Sequence, residues 1–127
     1  MTEAYALSER ALVLELDLAA LPAVPPPPLR PIPRYPASER DVSFLIDASR
    51  SAAEIAAEIA AQGETLLVDV RPREDYRDPG HVPAGKKSML WSFVYRAPDR
   101  TLTDAEVRAA HERLVAALSA KLALQLR

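Results

Sequence analysis

The sequence predicts an α+β fold: a four-stranded antiparallel sheet with two helices on one face, in the order βαββαβ, behind an N-terminal arm. Three observations predict it. Runs with an apolar period of two, the pattern of half-buried strands, recur along residues 41–127. Two capping boxes, Ser51-x-x-Glu54 and Thr103-x-x-Glu106, each open a stretch with helical periodicity. A proline-rich stretch, holding eight of the twelve prolines between Pro22 and Pro36, separates all of this from the first residues.

The arm has two parts. Ala11 to Leu18 (ALVLELDL) alternates as a strand would, with Leu12, Leu14, Leu16 and Leu18 on one side. A lone strand must pair to be stable, so its partner sheet is expected outside this chain or in another copy. Pro22 to Pro36, with the unbroken run Pro25 to Pro28, favours polyproline II and a semi-rigid linker. The expected division is therefore residues 1–21 as the tail of a preceding domain, 22–36 as linker and 37–127 as the folded domain.

The first strand of that domain is Asp41 to Asp47, with Val42, Phe44 and Ile46 on one face and Ser43 and Leu45 on the other. The Ser51 cap opens a helix to about Gln62. Its Ile55 and Ile59 fall at i, i+4, and Gly63 lies where a left-handed residue ends a helix. Thr65 to about Arg71 is the second strand, with Leu66, Val68 and Val70 alternating inward. Pro72 marks it as an edge or its end, and Arg73 to Gly85 is expected to be a loop. Lys87 to Arg96 is the third strand. Met89, Trp91, Phe93 and Tyr95 make its apolar face; Ser88, Leu90, Ser92, Val94 and Arg96 face the other way. After the Ala97–Arg100 turn, Thr103 to about Ser119 is the second helix, with Val107, His111, Leu114 and Leu118 as its inward stripe. Leu122 to Leu126 is a short last strand.

Composition narrows the function. The chain has 127 residues, 49% hydrophobic and 27% charged, with a net charge of −2. It has no cysteine, which removes disulfides, thiolate metal sites and cysteine nucleophiles. The two histidines, His81 and His111, have no metal-ligand spacing, and His111 is expected at the core edge. With only Gly63, Gly80 and Gly85, the glycine patterns of nucleotide-binding loops are absent, as is a Gly-x-Ser-x-Gly elbow. An acylphosphatase-like enzyme shares the element order, but its chemistry uses an arginine and an asparagine, and this chain has no asparagine. No apolar run reaches membrane-spanning length and no signal peptide is visible, so the expected location is the cytoplasm.

Charge is uneven. From Arg71 to Arg100 there are seven basic and four acidic residues, a weak local excess suited to a modest RNA footprint rather than tight autonomous binding. Within that span Tyr76 lies among Arg71, Arg73 and Arg77, where an exposed ring offers a stacking plate for a base. The third strand sends its aromatics inward, which excludes the stacking platform of an RNA-recognition motif.

Several short motifs occur in a telling order: Tyr35-Pro36, Arg40-Asp41, Gly85-Lys86-Lys87-Ser88, the run Arg96 to Val107 (RAPDRTLTDAEV) and a closing Leu126-Arg127. Over about Tyr35 to Arg127 the chain resembles the C-terminal ferredoxin-fold anticodon-binding domain of the bacterial phenylalanyl-tRNA synthetase β subunit. The resemblance implies a ferredoxin-like fold and a non-catalytic tRNA-binding role, with residues 11–18 similar to the last strand of the preceding domain and the chain a fragment of a longer protein. The family has Phe-Asp-x-Tyr before the Gly-x-Lys-Ser motif, and its Asp, Tyr and Ser look like anticodon contacts. Tyr76 and Ser88 match two of these. The Asp position falls on Glu74, with Asp75 beside it, and either is open for that role. Leu90 shares the open face, and Lys86, Lys87, Arg96 and Arg100 are expected to meet phosphates. The partners so implied are the anticodon stem-loop of tRNA(Phe), the rest of the β subunit and the α subunit, with no membrane and no DNA. No cofactor is expected on this chain; ATP, Mg²⁺ and phenylalanine belong to the α subunit. The competing expectation is a protein-docking module that uses the open sheet face or the N-terminal strand.

Overall fold

The computed structural model describes residues 12–26 and 31–127. Backbone contacts divide the chain into two units, Met1–Pro31 and Ile32–Arg127. The second holds β1 (Ser38–Asp47), α1 (Ala52–Ala61), β2 (Leu67–Tyr76), β3 (Lys86–Tyr95), α2 (Asp104–Leu122) and β4 (Gln125–Leu126). The strands form one antiparallel sheet in the order β2-β3-β1-β4. The expected βαββαβ order and the ferredoxin-like α+β fold are what this unit forms.

Both helices start where their caps dictate. Ser51 Oγ accepts from the Glu54 amide at 3.2 Å while the Glu54 carboxylate accepts from the Ser51 amide at 2.7 Å. Thr103 and Glu106 repeat the exchange at 3.3 and 2.9 Å. Gly63, at φ 64°, follows the Gln62 cap of α1. Helix α2 runs on to Leu122 and stops at Ala123, a left-handed residue at φ 52°. The extra turn leaves β4 only two residues, shorter than the Leu122–Leu126 strand expected.

The core lies between the helices and one sheet face. Met89, Trp91, Phe93 and Tyr95 of β3 and Phe44 and Ile46 of β1 meet Ile55 and Ile59 of α1 and Val107, Ala110, Leu114, Leu118 and Leu122 of α2. The inward stripe of α2 thus centres on Ala110; His111 is only partly buried beside it. Burying each large side chain contributes about 1.5–3 kcal/mol, which fixes which face of β3 points inward.

Four expectations need correction. First, β1 begins at Ser38, because β3 is long enough to pair with it from Tyr95 back to Lys86. Second, β2 passes through Pro72 to Tyr76, so Arg73–Tyr76 is strand and not loop. Proline is tolerated because β2 is the sheet edge. Third, Val68 does not point inward. It is 51% exposed because the β2–β3 register shifts between Leu67 and Asp69, leaving Val68 as an extra residue in a bulge. Fourth, residues 12–17 form no strand, and the only regular feature of the described arm is a 3-10 turn at Leu18–Ala20, capped by Asp17. Leu12, Leu14 and Leu16 are exposed, and among the described residues no strand pairs with them; alternation without a partner does not make a ladder. Ala11, and Pro27 and Pro28 of the linker, lie outside the described residues.

Candidate nucleic-acid interface

The sheet face away from the helices is set by the pairing register. Opposite the inward residues of β3 stand Ser88, Leu90, Ser92 and Val94. Their β1 neighbours are Leu45, Ser43, Asp41 and Glu39. On the β2 side a second register shift, between Pro72 and Glu74, leaves Arg73 as an extra residue. Pro72 still opposes inward-facing Trp91, but beyond the bulge Glu74 opposes Leu90, Asp75 opposes Met89 and Tyr76 opposes Ser88. The bulge therefore turns Glu74 and Tyr76 to the open face and Asp75 to the helix side.

This groups the expected site residues. Glu74, Tyr76, Ser88 and Leu90 come together on the open face at one end of the β2–β3 pair. Pairing carries the two rows onward: Tyr76, Ser88, Leu45 and Gln125 in one, and Glu74, Leu90 and Ser43 in the next, where Arg127 donates its amide to the Ser43 carbonyl at 2.9 Å. Gln125 and Arg127 were not singled out from the sequence, since only sheet order brings the last residues beside the first strand. The single available signal was the closing Leu126-Arg127 motif.

Tyr76 is 37% exposed, and its hydroxyl is tethered. It donates to Asp78 Oδ2 at 2.9 Å, which raises the tyrosine pKa, and His81 Nδ1 lies 2.7 Å from the same oxygen. Asp78 also accepts from the Gly80 amide at 3.0 Å; that bond, then His81 and Tyr76, hold its carboxyl below the usual range. Val82, buried, anchors the loop to the domain. The hydroxyl is held by the loop, and the residue stays partly open to solvent.

Asp75 and Lys87 require correction. The Lys87 side chain is 3% exposed, on the helix side of the sheet, and its ammonium sits 3.0 Å from Asp75 Oδ2. Asp75 also accepts from Arg77 Nε and Nη2, at 2.7 and 2.9 Å. The Arg77 bonds and then Lys87 depress the Asp75 pKa to about 2. Neither Asp75 nor Lys87 is on the open face, so of the two acids only Glu74 stands with Tyr76. The arginines expected beside Tyr76 are paired too: Arg71 with Asp69, Arg77 with Asp75, and Arg73 with Glu39 at 2.8 Å while its Nε donates to Ser92 Oγ at 2.9 Å. Ser92 donates in turn to Asp41, so a polar network covers the middle of the open face. Arg100 pairs with Glu106 at the start of α2. Arg96 follows β3 at its other end, about 25 Å along the strand from Ser88. Lys86 sits in a hollow with Asp47, Ser49, Arg50 and Glu54. Among the described residues no three His, Cys, Asp or Glu side chains are grouped to hold a metal ion, and no helix is long and apolar enough to cross a membrane.

Fold and site together define a small α+β domain with a sheet face that no helix covers, where a tethered, partly exposed tyrosine stands beside the buried Ser88. The family model of the ferredoxin-fold anticodon binding domain matches residues 33–127, and the chain belongs to that family, a binding rather than a catalytic domain. It is similar to the phenylalanine–tRNA ligase beta subunit of Moorella thermoacetica, 43% identical over 98% of this chain and 16% of that protein. The corresponding subunits of Clostridium tetani (36% identical, 97% of this chain, 16% of that protein) and Anaeromyxobacter dehalogenans (41%, 92% and 14%) are similar as well. The chain thus spans about a sixth of the length of these curated relatives.

Proposed function

We propose that this chain holds the anticodon of a phenylalanine tRNA within a ligase β subunit and so supports phenylalanyl-tRNA formation in the cytoplasm. The observation that carries the reading is the juxtaposition of Tyr76, Ser88, Glu74 and Leu90 on the face no helix covers. An unstacked base lies on the Tyr76 ring, the Ser88 hydroxyl and Glu74 carboxylate bond base edges, and Leu90 and Leu45 form an apolar floor. Glu74 accepts hydrogen bonds only, so it favours a base edge that donates. Phosphate contacts fall to Lys86, Arg96 and Arg127, the last standing at the end of the Glu74–Leu90–Ser43 row. With so few cations free of internal carboxylates, affinity depends on the rest of the assembly. ATP, Mg²⁺ and phenylalanine are handled elsewhere in it, by the α subunit.

The test is a titration of an anticodon stem-loop, and of one with altered anticodon bases, into wild type, Tyr76→Ala and Tyr76→Phe. Loss of a stacked base costs about 1–3 kcal/mol, roughly 5- to 150-fold in affinity. Tyr76→Phe keeps the ring face and most of the binding. Equal affinity of wild type and a folded Tyr76→Ala, or equal affinity for both stem-loops, overturns the proposal.

A further inference from the structure

The polar groups of the open face are of two kinds. In its middle, Arg73, Glu39, Ser92 and Asp41 bond one another and have little left to offer a ligand. At the Tyr76 end, the row Tyr76, Ser88, Leu45 and Gln125 crosses all four strands. Three strand spacings separate its ends, about 14 Å, which is wider than one base. Tyr76 and Ser88 stand at one end of the row, Leu45 and Gln125 at the other.

Backbone pairing fixes Gln125. Helix α2 stops at Ala123, whose left-handed φ of 52° lets the chain turn onto β1. Gln125 then pairs with Leu45, and the next bond is from the Arg127 amide to the Ser43 carbonyl. A residue directly opposite Leu45 shares its face, so the Gln125 side chain stands on the open face. It is exposed, and among the described residues its carboxamide has no hydrogen-bond partner. Leu45 beside it is only partly buried. The two ends of the row belong to one surface electrostatically as well. Asp78, burial and Glu74 raise the Tyr76 pKa, and the charge of Arg127, two residues past Gln125, opposes them.

We propose that Leu45 and Gln125 form a second base position next to the one at Tyr76: a neighbouring anticodon base lies on Leu45, and the Gln125 carboxamide bonds its edge. The inference rests on the anticodon-binding reading and deepens it by naming the base. The carboxamide accepts through Oε1 and donates through Nε2, so it matches an edge with a donor beside an acceptor. Adenine carries that pair on its Watson–Crick edge and again on its Hoogsteen edge, with the N6 amino group serving both. The other bases lack it on the Hoogsteen edge. Gln125 therefore selects adenine, whichever of the two edges it meets.

The test titrates the full chain with the anticodon stem-loop of a phenylalanine tRNA. It is repeated with stem-loops in which each anticodon adenine in turn is replaced by purine riboside, which lacks the N6 amino group. The variants are Gln125→Met, similar in shape without the carboxamide, Tyr76→Ala and the double variant. Gln125 is exposed on an edge strand, so its variant keeps the fold, which thermal melts check. The expected result for Gln125→Met is a loss of about 5- to 150-fold on the native stem-loop. Wild type binds one purine riboside stem-loop as weakly, and Gln125→Met brings no further loss on that RNA. In the double variant the two losses add, because the side chains hold different bases. Equal affinity of wild type and Gln125→Met overturns the proposal. So does the same loss on every stem-loop, the mark of a sugar or phosphate contact, and so does a double variant no weaker than Tyr76→Ala, the mark of a single shared base. If wild type does not distinguish native from altered anticodons, the anticodon reading fails and this inference with it. If it does, and Gln125→Met binds like wild type, only this inference fails.

Discussion

The hydroxyl of Tyr76 and the indole of Trp91 are held in opposite ways, and each makes a prediction. Tyr76 is tethered through its hydroxyl by Asp78 and stays partly exposed. Replacing it therefore removes little packing, and Tyr76→Ala is expected to melt within a few degrees of wild type while losing RNA affinity. Trp91 is 1% exposed at the centre of the core. Trp91→Ala is expected to cost about 3–5 kcal/mol in chemical denaturation, because the cavity it leaves cannot close against two helices. Asp75 adds a pH dependence. Its carboxyl titrates at about 2 in the folded protein, below the 3.8 of an unconstrained group. A depressed carboxylate pKa stabilises the fold above the unfolded value, and that contribution is lost as pH falls from about 4 to about 2. Asp75→Asn is expected to flatten part of the acid limb in this window, measured by thermal melts across pH. Since Asp75 is partly solvated, the change is smaller than for a fully buried pair. His111, whose Nδ1 lies 2.9 Å from the Tyr95 hydroxyl, has its pKa lowered by burial and then by Arg40, as the expected place at the core edge requires.

Helices and strands differ in how far they follow from local pattern. The two capping boxes involve residues three apart, so Ser51/Glu54 and Thr103/Glu106 were legible in the sequence and form as expected. Thr103→Ala is expected to destabilise the domain by about 1 kcal/mol, and Glu106→Ala to release Arg100 as well; chemical denaturation of both variants checks this. The faces of β1 and β3 were legible for a similar reason: each keeps an unbroken alternation. Strand β2 was not. Two bulges, at Val68 and Arg73, break its period, so counting inward positions from Leu66 gives the wrong face for Val68 and for Glu74 to Tyr76. A bulge is decided by pairing with the strand across, and nothing within β2 itself marks it. This is why Glu74 and Asp75 could not be told apart by spacing, and why Tyr76 was expected in a loop.

At the scale of the whole molecule, the core draws on residues between Val42 and Leu124. A chain lacking residues 1–31 is accordingly expected to melt at nearly the same temperature, and a clear drop in calorimetry would mean that the arm contributes packing. The element order and the family were written in the sequence, because caps, strand periods and short motifs are local and survive translation along the chain. The composition of the site was written there in part: Tyr76, Ser88, Glu74 and Leu90 were named. Which of their neighbours share a surface was decided by tertiary structure. Lys86 and Lys87 are adjacent in sequence, yet Lys87 is buried on the helix side, and Arg127, the last residue, joins the edge of the open face by pairing with β1. The physical reason is that sidedness in a sheet is set by register. Register is the outcome of long-range pairing between strands, where one extra residue reverses every side chain that follows.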